Sequence, residues 1–342
     1  MRFCRAPGDR DTGPGACGRR FAFMTKVLVK SKPKAALRPA GAAVDGLRSV
    51  DLGVTDLKSR TRFFTDVWRL APVAEHPGSV YLRGTGAYHH VLALHARPRA
   101  EMLRLDLTAP DKAAVNALQA GLKKSGIGEI EKPAPITEPG GGYGFAFKDP
   151  EGRTVRILTG DKRHADATSR PDRPSKLTHV VLNSPDVDAI SAFYADHLGF
   201  RIIDRTRVMT FLCCNEQHHV LAFARSTAPT LNHLAFEMAD IDSVMRGAGR
   251  MRDSGFSIEW GVGRHGPGNN VFAYFVGPDE VVIEYTSEVE KVGKNYKARG
   301  PEEWAWPPGR NDYWGIAVGP TDRMKQAQQR ISFAPGIFHS AG

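Results

Sequence analysis

Cysteine is scarce in this chain, with four among 342 residues. Cys4, Cys17, Cys213 and Cys214 form no spaced framework, so a disulfide-stapled scaffold is excluded and a reduced, cytoplasmic protein is expected. Long apolar runs are missing as well. None approaches the roughly 20 residues of a membrane-spanning helix, and the N-terminus lacks an apolar signal-peptide core, so no membrane partner is expected. Acidic residues are also in deficit, 37 Asp+Glu against 47 Lys+Arg, a formal net charge of +10. The excess is local: residues 1–45 hold ten Lys/Arg and three Asp, leaving 37 basic against 34 acidic residues beyond. A nearly neutral remainder argues against a nucleic-acid partner. Residues 1–45, rich in Gly, Pro, Ala and Arg and without helical or strand period, are expected to be a disordered basic tail. Met24, which opens MTKVLVKSKPK, is expected to be the true start.

What is present is an ordinary globular composition, 41% hydrophobic and 25% charged, and an internal repeat. LRSVDLGVTDLKSRTRFF (47–64) matches LTHVVLNSPDVDAISAFY (177–194). EMLRLDLTAPDKAAV (101–115) matches TLNHLAFEMADIDSV (230–244), and FAFKDPEGRTVRIL (145–158) matches AYFVGPDEVVIEYT (273–286). Each half reads as strand, helix and several short strands, twice over. This predicts an α+β protein of four βαβββ modules paired into two open-barrel domains, residues 46–160 and 175–290. A linker (161–174) joins them and a C-terminal segment (291–342) follows. The concave face of such a sheet can enclose a metal or ligand.

The repeat isolates three residues. His233 alone, among Leu231, Leu234 and Phe236, reads as a core histidine satisfied by one hydrogen bond. Matched strands of the second half, however, carry His179, His233 and Glu284, where the first half carries Ser49, Arg104 and Arg156. A packing residue should be replaceable by a similar shape in both halves. Here two imidazoles and a carboxylate stand against a hydroxyl and two guanidiniums. The former set can hold a divalent metal with positions left open, as in the facial triad of non-haem Fe(II) oxygenases; the latter cannot. Three more residues are candidates for the chemistry. CCNEQHHVLAFAR (213–225) reads as a strand with His218 and His219 on opposite faces, His219 inward and suited to proton transfer. His265, in a Gly-rich loop, and Tyr274, on the strand before Glu284, can hydrogen-bond a substrate oxygen.

THVVL, NHLAF, HHVLAF and GRHGPGNN…Y..GP.....E together resemble the type I extradiol ring-cleaving dioxygenases of the vicinal oxygen chelate superfamily, over about residues 46–315. Gly277 and Glu280 depart from the family's turn residues. The resemblance implies His179, His233 and Glu284 as metal ligands, His219 as acid–base residue, and His265 and Tyr274 as substrate-oxygen contacts. It implies Fe(II), with Mn(II) suited to the same ligands, and a catecholic substrate with O2. Phe211, Trp260, Asn269 and Arg310 are the expected substrate contacts. EEWAWPPGRNDYWG (302–315) resembles the lid of the homoprotocatechuate branch, but Trp260 and Asn311 stand where that branch has its paired arginines. A neutral catechol or trihydroxybenzene with an apolar substituent is therefore expected. The resemblance also implies a homo-oligomer. Two other readings stay open: a glyoxalase-type or epoxide-opening metalloenzyme on the same fold, and a metal-free small-molecule binding protein.

Overall fold

A computed structural model describes residues 43–340 of the chain. Nearly all of the expected basic tail, and the expected start at Met24, lie outside the described residues. The first module comprises β1 (Gly46–Val54), α1 (Leu57–Arg62), β2 (Ala71–His76), β3 (Ser79–Arg83) and β4 (Leu92–Ala96). The second comprises β5 (Glu101–Thr108), α2 (Lys112–Lys124), β6 (Ala134–Pro135), β7 (Tyr143–Lys148) and β8 (Thr154–Thr159). The third comprises β9 (Lys176–Ser184), α3 (Val187–Phe193), β10 (Arg201–Arg205), β11 (Met209–Cys213) and β12 (Leu221–Arg225). The fourth comprises β13 (Leu231–Glu237), α4 (Ile241–Asp253), β14 (Trp260–Arg264), β15 (Val271–Val276) and β16 (Val282–Ser287). In the C-terminal segment, α5 (Asp322–Ala327) and β17 (Ser332–Phe333) complete the order.

The strand-to-helix switch has the same local cause in all four modules. Asp56, Asp111, Asp186 and Asp240 each cap the following helix, accepting a hydrogen bond from the backbone amide three residues on. The aromatic pairs Phe63–Phe64 and Phe193–Tyr194 then extend α1 and α3 as π-helical turns, which bury Phe63, Phe64 and Tyr194. On α2 the buried Ala114, Val115, Leu118 and Leu122 form the stripe that packs on the sheet.

Two sheets result. The first runs β2-β3-β4-β1-β5-β8-β7-β6, with β17 pairing β5, and the second runs β10-β11-β12-β9-β13-β16-β15-β14. Neither closes on itself, as expected for open barrels. The halves share a core in which the Trp68 ring stacks on Tyr285 at 3.6 Å, and Arg60 pairs with Asp279 at 2.7 Å. Among the described residues no helix is long and apolar enough to cross a membrane.

Candidate metal centre

Strand register dictates the site. Ala235 on β13 lies opposite His179 on β9 and beside Glu284 on β16, and Glu284 lies opposite Tyr274 on β15. Tyr274 in turn faces Trp260 on β14. Directly paired residues share a face, and residues two apart on a strand do too. His233, two before Ala235, and Val181, two after His179, therefore join the same concave row. Ala222 and Phe211 extend it through β12 and β11.

On that face the nitrogen atoms of His179 and His233 and a carboxylate oxygen of Glu284 lie within 4.8 Å of one another. Both Nε2 atoms approach the same oxygen, Oε2, at 3.1 Å from His179 and 3.3 Å from His233. All three residues are buried, and His233 Nε2 has no hydrogen-bond partner. An orphaned nitrogen is costly in a core and is what a metal ligand looks like without its ion. Burial pushes the Glu284 carboxyl up, but His179 and His233 outweigh it and hold the carboxyl well below the usual range. Asn270 donates to its other oxygen at 3.4 Å and to Thr286 at 2.8 Å. An N, N, O donor set of this kind fits a divalent first-row metal.

His219, His265 and Tyr274 surround the triad. The His219 ring lies 4.4 Å from that of His179, and Tyr274 meets His233 edge-on at 5.0 Å. His265 Nε2 lies 2.9 Å from the Tyr274 hydroxyl. Burial, with the neighbouring histidines, pushes His219 well below its ordinary value, so its ring is neutral. Burial likewise brings His265 down to about 4, against the opposing Glu284 charge. The Tyr274 phenol is pushed well above 10 by burial and by Glu284, so it keeps its proton.

These groups open into a cavity of about 700 Å³ lined by Val181, Met209, Phe211, Trp260, Trp304 and Trp306, among others. The segment over its mouth is tied down by Asp312, a residue the sequence reasoning missed. Its buried carboxylate accepts from the backbone amides of Arg264, Trp314, Ile316 and Ala317 at 3.0–3.3 Å. Of the expected substrate contacts, Phe211, Trp260 and Arg310 line the cavity.

Two expectations need correction. Asn269 does not line the cavity; it is exposed in a turn at φ 48°, and Asn270, the next residue, points inward. His218 and His219 do not alternate on a strand. They sit in the turn before β12, and both rings are buried, edge to face, with their Nδ1 atoms 3.0 Å apart. Alternation holds only where the backbone is extended, so it had no force there.

In the first half the corresponding row is ionic. Arg104 binds Glu138 at 2.7 Å, Asp106 at 2.9 Å and Asp51 at 3.1 Å; Arg156 binds Asp106 and Glu138, each at 2.5 Å. The C-terminal segment closes over it: the Phe338 carbonyl accepts from Arg104 at 3.3 Å, and the Ser340 amide donates to Glu138 at 3.2 Å. Among the described residues the only metal-type group is His179, His233 and Glu284.

The Glyoxalase/Bleomycin resistance protein/Dioxygenase superfamily matches residues 176–285. Metapyrocatechase 2 of Cupriavidus necator is 31% identical over 211 residues, 55% of this chain and 62% of that protein's own length. A Mn(II)-bound glyoxalase from Novosphingobium aromaticivorans superposes with a TM-score of 0.78 at 36% identity, covering 87% of this chain and 98% of that one. Homoprotocatechuate 2,3-dioxygenase from Brevibacterium fuscum, in complex with 3,4-dihydroxyphenylacetate, shares the fold at a TM-score of 0.75 and 21% identity, over 89% of this chain and 98% of that one. Two sheets of two modules each, one with a His–His–Glu group on its concave face, and a 36% identical relative matched over nearly its whole length lead to one conclusion: this chain belongs to the glyoxalase/bleomycin resistance protein/dioxygenase superfamily.

Proposed function

We propose that this chain is an extradiol dioxygenase that opens the ring of a catechol or trihydroxybenzene with O2, using Fe(II), the same donors being suited to Mn(II). The observation that carries the reading is the convergence of His179, His233 and Glu284 at 4.8 Å or less, with His219, His265 and Tyr274 around the cavity side. A metal held there would supply Lewis acidity toward a catechol hydroxyl and an electron path between catechol and dioxygen. The chain supplies the rest. Neutral His219 accepts a proton from the substrate hydroxyl and later returns it. Tyr274 and His265 hydrogen-bond a substrate oxygen, and Trp304 and Trp306 keep bulk water from the cavity. Val181, Met209 and Phe211 support a neutral ring with an apolar substituent, while Arg207, Arg225 and Arg310 stand exposed at the rim. Tyr313, Ile316 and Val318, 62%, 74% and 81% exposed, support a homo-oligomer.

The test is anaerobic metal analysis followed by a panel of catechols with O2. A yellow ring-fission product that depends on bound metal is expected; a metal-loaded protein that opens none of them would overturn the reading. The name of the Novosphingobium relative favours a second reading, a glyoxalase-type isomerase. Such chemistry usually draws on more than one metal-bound carboxylate, and Glu284 is the single one in the group. Assaying the same preparation with a hemithioacetal of glutathione separates the two.

A further inference from the structure

Behind His219 lies a second buried titratable pair that the proposed chemistry does not use. His218 Nε2 lies 2.8 Å from the Oδ2 of Asp204, on β10, and His218 Nδ1 lies 3.0 Å from His219 Nδ1. Both Asp204 and His218 have no solvent exposure. The carboxylate is held in place by the Arg299 backbone amide at 2.9 Å on Oδ1, and by Arg299 Nε and the Tyr296 hydroxyl, both at 3.1 Å on Oδ2. Burial raises the Asp204 carboxyl, but its hydrogen bonds from His218 and Arg299 outweigh this and keep it ionised.

A carboxylate can only accept, so the order of protons along the chain is fixed. A neutral His218 carries its proton on Nε2, toward Asp204, which leaves Nδ1 bare. His219 must then donate from Nδ1, which leaves its own Nε2 bare. We infer that Asp204 and His218 are positioning residues that lock His219 in the tautomer whose unprotonated Nε2 meets the substrate. This rests on the proposed function, in which His219 is the proton acceptor.

The duplicated half serves as an internal control. His89 and His90 repeat the arrangement, with Nδ1 atoms 3.0 Å apart. The paired rings are therefore part of the repeated fold. The residue matching Asp204 is Ala74, since Ala74 lies opposite Tyr81 as Asp204 lies opposite Phe211. In that half the tautomer is set from the front instead, by Arg48 Nη1 at 2.5 Å from His90 Nε2. His219 lines the cavity and His218 does not. Among the described residues no guanidinium hydrogen-bonds to His219, which is set from behind, and Asp204 has Ala74 as its counterpart in the half without the metal group.

The experiment is His218→Phe, read in two ways. A phenyl ring cannot accept from His219 Nδ1, so the lock behind His219 is removed while Asp204 keeps its Arg299 and Tyr296 partners. Ring-nitrogen NMR on the full chain, labelled with 15N-histidine and loaded with diamagnetic Zn(II), reads the His219 tautomer directly. The proton is expected on Nδ1 in the parent and on Nε2 in the variant. In the natively metallated enzyme, kcat for a turned-over catechol should fall about 10²-fold, the scale of a misplaced acid–base group, with KM and metal content little changed. If His218→Phe fails to fold, Asp204→Ala removes the carboxylate that sets the His218 proton and is read the same way. A folded variant with the parental His219 tautomer, or a shifted tautomer with undiminished kcat, overturns the inference. If the parent turns over no catechol, the proposed function fails, while the tautomer measurement still decides the relay.

Discussion

His233 donates from Nδ1 to the side-chain oxygen of Asn232 across 2.8 Å, and its other nitrogen thereby faces Glu284 bare. The direction is fixed from a distance. Asn183 donates to the Gln328 backbone carbonyl at 2.7 Å, so its own oxygen accepts from Asn232, and Asn232 Oδ1 is left for His233 and for Gln328 Nε2 at 2.8 Å. The residue just beyond α5 thus reaches the metal site through one asparagine.

His233→Ala should abolish metal retention, because one of three donors is gone. Gln328→Ala should keep the three donors yet weaken metal binding by about tenfold, the lower end for loss of a group that orients a histidine ligand. Titrating the metal-free full chain with Mn(II) checks both. Full occupancy in His233→Ala would sink the ligand assignment, and unchanged affinity in Gln328→Ala would sink the role of the asparagine bridge.

Arg104→Gln should leave metal content unchanged and instead destabilise the fold. The side chain is 1% exposed and paired with three carboxylates, and breaking a buried ion pair costs about 3–5 kcal/mol. Thermal unfolding should show a lower Tm with the same metal per chain. Loss of metal from the folded variant would contradict the division of labour between the halves.

Much of this division was legible because the chain is duplicated. Ser49, Arg104 and Arg156 served as a built-in comparison for His179, His233 and Glu284. The same comparison could have found His89 and His90, since YHHVLALHA (88–96) echoes QHHVLAFAR (217–225). Asp312 and Gln328 were beyond reach. They belong to the unduplicated C-terminal segment, where no second copy shows which residues are replaceable. Asp204 was hidden for another reason: its role depends on a turn that strand alternation cannot describe.

Acid should erase part of the first half's stability. Burial raises the Glu138 carboxyl, but Arg104 and Arg156 outweigh it and hold it well below the usual range. A carboxyl with a depressed folded-state pKa stabilises above its unfolded value, and that contribution is lost as pH falls toward the folded one. Glu138→Gln should therefore be clearly less stable than the parent near neutral pH. The gap should shrink as pH falls through and below the ordinary carboxylate range. Denaturant unfolding across pH checks this, and a gap that stays constant would remove Glu138 from the network's account.

His219→Asn should retain metal and bind catechol, yet slow ring opening by about 10²–10⁴, the usual scale for a positioned acid–base group. The side chain is 3% exposed and lines the cavity, and no other neutral imidazole has both its place beside His179 and a partner fixed behind it. His265 has its Nε2 2.9 Å from the Tyr274 hydroxyl, which pairs those two on a substrate oxygen rather than in the place of His219. An asparagine fills much of the same space and offers hydrogen bonds, but it neither takes nor returns a proton near neutral pH. The defect should therefore appear after substrate binds, as a fall in kcat with KM little changed, and oxidised but unopened substrate should accumulate among the products. Rapid mixing of the anaerobic catechol complex with O2, followed by product analysis, measures both. Ring opening at the parental rate in the metallated variant would remove His219 from the chemistry and leave His265 and Tyr274 as the groups to examine.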